Sequence, residues 1–281
     1  MIPDPLVDPF VTALDFGVYP LRLHFTAGRN LQVANGTAAN LVRGQFGKIL
    51  LREHPDAYRR YFAPAQEAGT GPSGFRDPPR PFVLRVAELE GARIDTGAQF
   101  VIGVNLFEMR EPPLDLFRDV LARVASESLG AAALERVEGT GKLNLSLRPG
   151  AGKTWRVRVH FRTPTQLKGV DRPDFGPLFS RIRDRVSGLR ALYGDGPLDI
   201  DFRAMGERAT SILMTLCDVH QEKSQRFSRS QKTPHPLGGF VGVAEYEGDL
   251  TEFLPYLEAA KWTGVGRQTV WGKGEIHCEA Y

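Results

Sequence analysis

Apolar and polar residues alternate over residues 18–26, so that Leu21, Leu23 and Phe25 fall on one face of an extended strand and Arg22 and His24 on the other. A helix is expected over 37–53, where Leu41, Val42, Phe46, Ile49 and Leu50 recur at helical spacing and Gly44 and Gly47 are soft points. The Pro, Gly and Ala-rich stretch 63–81 reads as a loop. Two strand-like runs follow, 82–89 and 99–107, then a helix over 115–129 that turns Leu116, Phe117, Val120, Leu121 and Val124 inward. A strand at 142–147 closes the set. The order is strand, helix, strand, strand, helix, strand.

Past Arg148-Pro149-Gly150-Ala151-Gly152 the order repeats. Residues 155–161 alternate strictly, and 175–193 has helical spacing through Leu178, Phe179, Ile182, Val186 and Leu189. Residues 198–203 and 212–219 are strand-like, and a polar loop is expected at 221–236. The strand 239–247 follows, then a helix that Asp249 should cap and that carries Leu250, Phe253, Leu254 and Leu257, then a final strand at 269–279. Twice over, this is the βαββαβ pattern of a ferredoxin-like, or RRM-like, unit, with one extra strand or hairpin in the second copy. The expected fold is therefore α+β, two tandem ferredoxin-like domains, residues 1–150 and 151–281.

The whole chain of 281 residues, 42% hydrophobic and 25% charged, has the make-up of a folded protein with room for two cores. No apolar run approaches the roughly 20 residues of a membrane helix, and the acidic, proline-bearing start does not read as an export signal. Two cysteines, Cys217 and Cys278, are too few for a disulfide framework or a zinc site. A reduced, cytoplasmic protein without metal or cofactor is expected. The net charge is only +3, but 28 of the 36 cations are arginine, whose planar fork suits phosphate; a GC-rich coding sequence is the plainer account of that bias.

Near the end stands Gly264-Val265-Gly266-Arg267-Gln268-Thr269-Val270-Trp271-Gly272-Lys273-Gly274, whose glycines let backbone N–H groups come close to an anion. A dinucleotide fingerprint runs strand, glycines, helix; here the glycines follow a helix and enter a strand, so no helix N-terminus receives a pyrophosphate. Gly152-Lys153-Thr154 fails as a P-loop because Leu147 occupies the place of its first glycine. Elsewhere the alternation of 155–162 puts Arg156, Arg158, His160 and Arg162 on one strand face. Such a row is either a solvated sheet face or a seat for an anion. Residues 226–232 add Arg226, Arg229 and Lys232 around Phe227, and interleaved cations and aromatics suit RNA.

In these segments the chain resembles the CRISPR-associated endoribonucleases of the RAMP superfamily, which cut the precursor CRISPR transcript within its repeats. The glycine-rich signature of that family is matched by Gly264, Gly266, Arg267, Gln268, Thr269, Gly272 and Gly274. Leu41-Val42-Arg43-Gly44-Gln45-Phe46-Gly47, Phe161-Arg162-Thr163-Pro164-Thr165-Gln166-Leu167-Lys168 and residues 226–239 are similar to three further family segments, in family order. The resemblance implies two ferredoxin-like domains and a metal-independent cut, in which the ribose 2′-OH attacks its own phosphate to leave a 2′,3′-cyclic phosphate and a 5′-OH. Such a cut needs a base, an acid and cations at the phosphate oxygens.

Histidine suits either proton role. His54, at the end of the first long helix beside Lys48 and Arg52, lies where many members keep a catalytic histidine, although it does not match position by position; His24 is the second choice. Some members work without a histidine, which would leave Arg43 or Lys48 to carry the site. The RNA-binding set implied is Arg43, Arg156, Arg158, His160, Arg162, Lys168, Arg226, Arg229, Lys232, Gly264, Gly266, Arg267, Gly272, Lys273 and Gly274. The implied partners are the repeat RNA and a CRISPR effector complex, and a homodimer is compatible. A catalytically silent RNA-binding subunit of that complex is the alternative; a nucleotide-binding metabolic enzyme is the remaining one.

Overall fold

The structure is a computed structural model that describes residues 14–64, 79–139, 141–222, 225–227, 234–236 and 238–281. The first half runs β1 (Asp15–Thr26), β2 (Leu31–Gln32), α1 (Ala38–Glu53), α2 (Pro55–Ala57), β3 (Phe82–Arg85), β4 (Arg93–Ile94), β5 (Gln99–Phe107), α3 (Leu114–Ser128), β6 (Ala133–Gly139) and β7 (Leu143–Ser146). The second runs β8 (Arg156–Thr165), α4 (Phe175–Tyr193), α5 (Phe202–Ala209), β9 (Leu213–Glu222), β10 (Gln225–Phe227), β11 (Pro234–Pro236), β12 (Gly239–Glu247), α6 (Leu254–Thr263) and β13 (Ile276–Ala280). The main sheets are antiparallel, ordered β3-β5-β1-β6 and β13-β8-β12-β9. In each, the first strand lies between the third and the fourth, which is the ferredoxin-like order.

Alternation along β1 explains how the two sheet domains meet. Tyr19, Leu21, Leu23 and Phe25 point to the core under α1 and α3. On the other face, Phe16 and Val18 join Val83 and Phe107 in the core of the second domain, with Val157, Phe179 and Leu257. Further along that same face the residues turn polar, to Arg22 and His24. One sheet face is thus half interface and half open.

The C-terminal end of α6 locks the joint. Arg85 of β3 donates to the carbonyls of Lys261 and Trp262 at 2.6 and 2.8 Å, and Asn105 of β5 donates to that of Trp262 at 3.1 Å. From α4, Arg185 Nε donates to the Thr263 carbonyl at 3.0 Å. Cationic donors suit the carbonyls left open at a helix end. The arrangement has a cost, since burial and then the charge of Arg85 bring the Arg185 guanidinium down to about 9.

Several boundaries differ from expectation. The fourth strand of the first domain is β6, with β7 continuing it: β6 pairs with Leu21–Thr26 of β1 and β7 with Asp15–Val18. The expected strand at 198–203 is instead the approach to α5, because Asp201 accepts from the Ala204 N–H at 2.9 Å and starts a helix. The second domain therefore carries an extra helix, α5, besides the antiparallel pair β10 and β11. The expected strand 82–89 stops at Arg85, and Ala87–Leu89 forms a 3₁₀ turn. Asp249 caps the turn before α6, accepting from Thr251 N–H at 3.2 Å, whereas the residue preceding α6 is Phe253. The last strand begins at Ile276, and Thr269–Trp271 is a 3₁₀ turn. Of the expected loops, 65–78 and 228–233 lie outside the described residues, while β9 reaches Glu222 and β10 pairs with β11.

Candidate functional site

Arg156, Arg158, His160 and Arg162 do share the open face of the second sheet, with Val157, Val159 and Phe161 buried opposite. The row does not depend on an external anion, because neighbouring strands supply carboxylates in register. Arg156 meets Glu247 at 2.9 Å, and Arg158 Nε donates to Glu245 at 2.7 Å. Arg162 lies 3.8 Å from Glu275, and His160 lies 3.9 Å from Glu279, beyond hydrogen-bond reach. The Arg158 bond holds the Glu245 carboxyl below its ordinary value. A phosphate arriving here competes with paired carboxylates.

Between the domains opens a cavity of about 420 Å³. Its floor is Gly103, paired with Arg22 of β1 on one side and Arg85 of β3 on the other. Any Cβ at Gly103 would come 2.8 Å from that of Arg85. Glu138, Arg162, Lys261, Trp262 and Glu275 form walls. Arg85 lies 3.1 Å from Glu275, which binds the floor to the second sheet. His24 stands beside this cavity: its Nε2 is 3.3 Å from Glu138, and an Arg136 nitrogen is 3.3 Å from its Nδ1. Arg85, Lys261 and Trp262 were not singled out from the sequence, because an arginine on an edge strand and the end of a helix carry no local motif.

The glycine-rich loop is built into the joint. Gly264, Gly266, Gly272 and Gly274 all have φ between 67 and 85°, a region that only glycine enters without strain. Its backbone donors are largely spent within the chain. Val265 donates to Gly274 (2.9 Å), Arg267 to Gln166 (3.0 Å), Gly274 to Pro164 (3.1 Å), and Glu275 to the Thr163 hydroxyl (2.9 Å). Val270 sits in the core of the first domain with Trp271 packed against it. The Arg43 guanidinium lies 4.3 Å above the Trp271 ring and 4.6 Å from that of Phe62, a cation held between aromatics from both domains. Of the loop's cations, Arg267 is exposed and Lys273 is buried, 8% exposed.

The remaining expected residues are scattered. His54 follows α1 and is exposed. It is eleven residues, or about 16 Å of helix, beyond Arg43. Lys48 and Lys168 are also exposed. Arg226 lies in β10, where only the backbone is described, and Arg229 and Lys232 fall outside the described residues. Among the described residues no cluster of His, Cys, Asp and Glu could hold a metal ion, and no helix is long and apolar enough to cross a membrane. The structure thus brings Arg43 to the glycine-rich loop and, of the basic row, Arg162 to the interdomain cavity, but not His54 to either.

Residues 159–276 match the family model described as CRISPR-associated endoribonuclease Cas6. Among solved structures, the chain is similar to the product complex of Cas6 (TTHB231), with 18% identity and a TM-score of 0.61 over 93% of this chain and 100% of that one. The same protein is elsewhere described as Thermus thermophilus Cas6. Similarity to the Cas6 (TTHA0078) product complex has a TM-score of 0.55 at 18% identity, over 94% and 99% of the two chains. A chain of the partial Cas6-RT-Cas1–Cas2 complex aligns with a TM-score of 0.59 at 9% identity, over 95% of this chain and 46% of that one. No curated protein matches. The resemblance drawn from the motifs and the tandem ferredoxin-like fold are both borne out.

Proposed function

Because residues 159–276 match the Cas6 family model and the chain takes the Cas6 fold, we propose that this protein is an endoribonuclease that processes precursor CRISPR RNA within its repeats. The observation that carries this reading is the family match, which takes in β8 from Val159 onward and the whole glycine-rich loop. The cut is metal-independent: the 2′-oxygen next to the cut bonds to phosphorus, the 5′-oxygen leaves, and the products carry 2′,3′-cyclic phosphate and 5′-OH ends. Residues 1–150 form the catalytic side and 151–281 the side that binds the repeat. The protein works in the cytoplasm, stays on its product and joins other CRISPR proteins, a role supported by the relative solved in a complex with Cas1 and Cas2.

A second reading, a silent RNA-binding subunit, is favoured by one observation: His54 and Lys48, two of the three expected catalytic residues, are exposed on or just beyond α1. One assay separates the two. Repeat RNA is incubated with the protein in excess EDTA, beside the same RNA carrying a single 2′-deoxy at the cut site. Cleavage of the all-ribose strand alone is expected. No cleavage of it refutes the nuclease reading; cleavage of the deoxy strand, or a need for Mg²⁺, refutes the mechanism.

A further inference from the structure

The two main sheets end on β3, β6, β13 and β9, and the first three edges are closed in different ways. On β3, Phe82, Val83 and Leu84 are buried, and the turn Thr269–Trp271 packs against the strand. Along β6 the charges are engaged within the chain, Arg136 meeting Glu138 at 2.6 Å and Glu138 meeting His24 at 3.3 Å. β13 has only five residues, and its His277 lies 3.7 Å from Glu279. β9 differs from all three. It runs for ten residues, nearly all exposed, and among the described residues only β12 pairs with it. Its Leu213 and Leu216 are 67% and 41% exposed. An open edge of this length is a template for another strand.

The side chains of β9 say which strand fits. A bulge leaves Thr215 unpaired, but Leu216–Glu222 runs in unbroken register against Gly239–Glu245. Asp218 pairs with Val243, which pairs in turn with His160, so Asp218 lies on the open face; His220, two residues on, shares that face. Both are exposed, and among the described residues neither side chain has a hydrogen bond or an ion pair. We propose that this protein dimerises through β9, which pairs antiparallel with β9 of a second copy about a twofold axis at Val219. That register sets Asp218 opposite the second copy's His220, twice by symmetry, with Cys217 opposite Gln221 and Leu216 opposite Glu222. An axis at Asp218 would oppose the two acids, and one at Cys217 would set Leu216 against Asp218. The product is one antiparallel sheet of eight strands, ordered β13-β8-β12-β9-β9-β12-β8-β13, with both open faces on the same side. Its two basic strands β8 stand five strand spacings apart, about 24 Å.

Seven paired residues make a small interface, so the dimer is reversible and depends on concentration. Sedimentation of the full chain, freed of RNA, should show two chains at high concentration and one at low. His220→Asp sets acid against acid across the axis and should weaken the dimer by about tenfold or more. Adding Asp218→His to that variant restores opposite partners and should recover most of the loss, and both variants should melt like the parent because the positions are exposed. Cysteine linking tests the register separately, in a Cys217→Ser chain. Val219→Cys brings two Cα atoms to about 4.5–5.5 Å across the axis, within disulfide reach, and should link two chains on mild oxidation. Leu213→Cys, six residues from the axis, should not. A single-chain mass at every concentration would leave the edge to a strand of some other protein and overturn the proposal. So would a swapped D218H/H220D chain that dimerises no better than H220D, or an L213C chain that links as readily as V219C.

Discussion

At the scale of single residues, the clearest signals are groups placed against their chemistry. Glu108 follows β5 with φ of 55° and accepts a hydrogen bond from the Gly17 N–H of β1. Burial is the main cause that raises its carboxyl above the ordinary value, outweighing that bond and the charges of Arg190 and Lys142. A carboxyl raised in the folded state contributes stability that is complete below its unfolded pKa and lost as pH rises through the folded one. The urea midpoint should therefore fall as pH rises through that window, and Glu108→Gln should flatten the fall while leaving stability at pH 7.5 equal or higher. Parallel pH profiles for parent and variant would refute this. The sequence shows Glu108 only as one acid after a strand, since neither its burial nor its partner is local.

Among elements, legibility followed whether the determining contact was near or far along the chain. β1, α4 and β12 were readable because one-sided burial writes a period into the sequence, and β5 because its run is almost wholly apolar and buried on both faces. β6 was not, because its residues are mostly exposed and Ala-Leu-Glu-Arg-Val-Glu-Gly carries little apolar alternation. α5 was misread because Leu198, Ile200 and Phe202 happen to alternate, while the capping bond of Asp201 decides the matter. For β8 the row of basic residues was legible, but its partners were not: Glu245 and Glu247 come from β12 through strand register. The paired row still adds positive charge to an open sheet face, and Arg156→Ala with Arg158→Ala should weaken repeat RNA binding and reduce the salt slope by about two. An unchanged slope would leave these arginines as partners of their glutamates and nothing more.

For the whole molecule, the joint matters more than either domain alone. Phe16 and Val18 of the first sheet lie in the second core, and Val270 of the glycine-rich loop lies in the first. Around this exchange, Arg85, Asn105 and Arg185 hold the last carbonyls of α6. Arg85→Ala should cost about 3 kcal/mol, at the upper end for charged hydrogen bonds, since it removes two such bonds and frees Glu275. It should also widen the interdomain cavity, seen as faster hydrogen exchange at the end of α6. Normal melting and exchange in that variant would show that apolar contact alone sets the joint.

The motif that first suggested a grip on RNA therefore does a second job. A Cβ at Gly274 would stand 1.9 Å from the Val265 carbonyl oxygen, and one at Gly266 would stand 2.5 Å from that of Gln166. Replacing either residue displaces the loop that seats Val270 and Trp271. A mutational map scored by RNA cleavage alone would mark these glycines as substrate contacts, although what it registers is misalignment of two domains. In such a protein, invariance at a position measures assembly tolerance, and ligand contact has to be read from side chains whose loss leaves the melting curve in place.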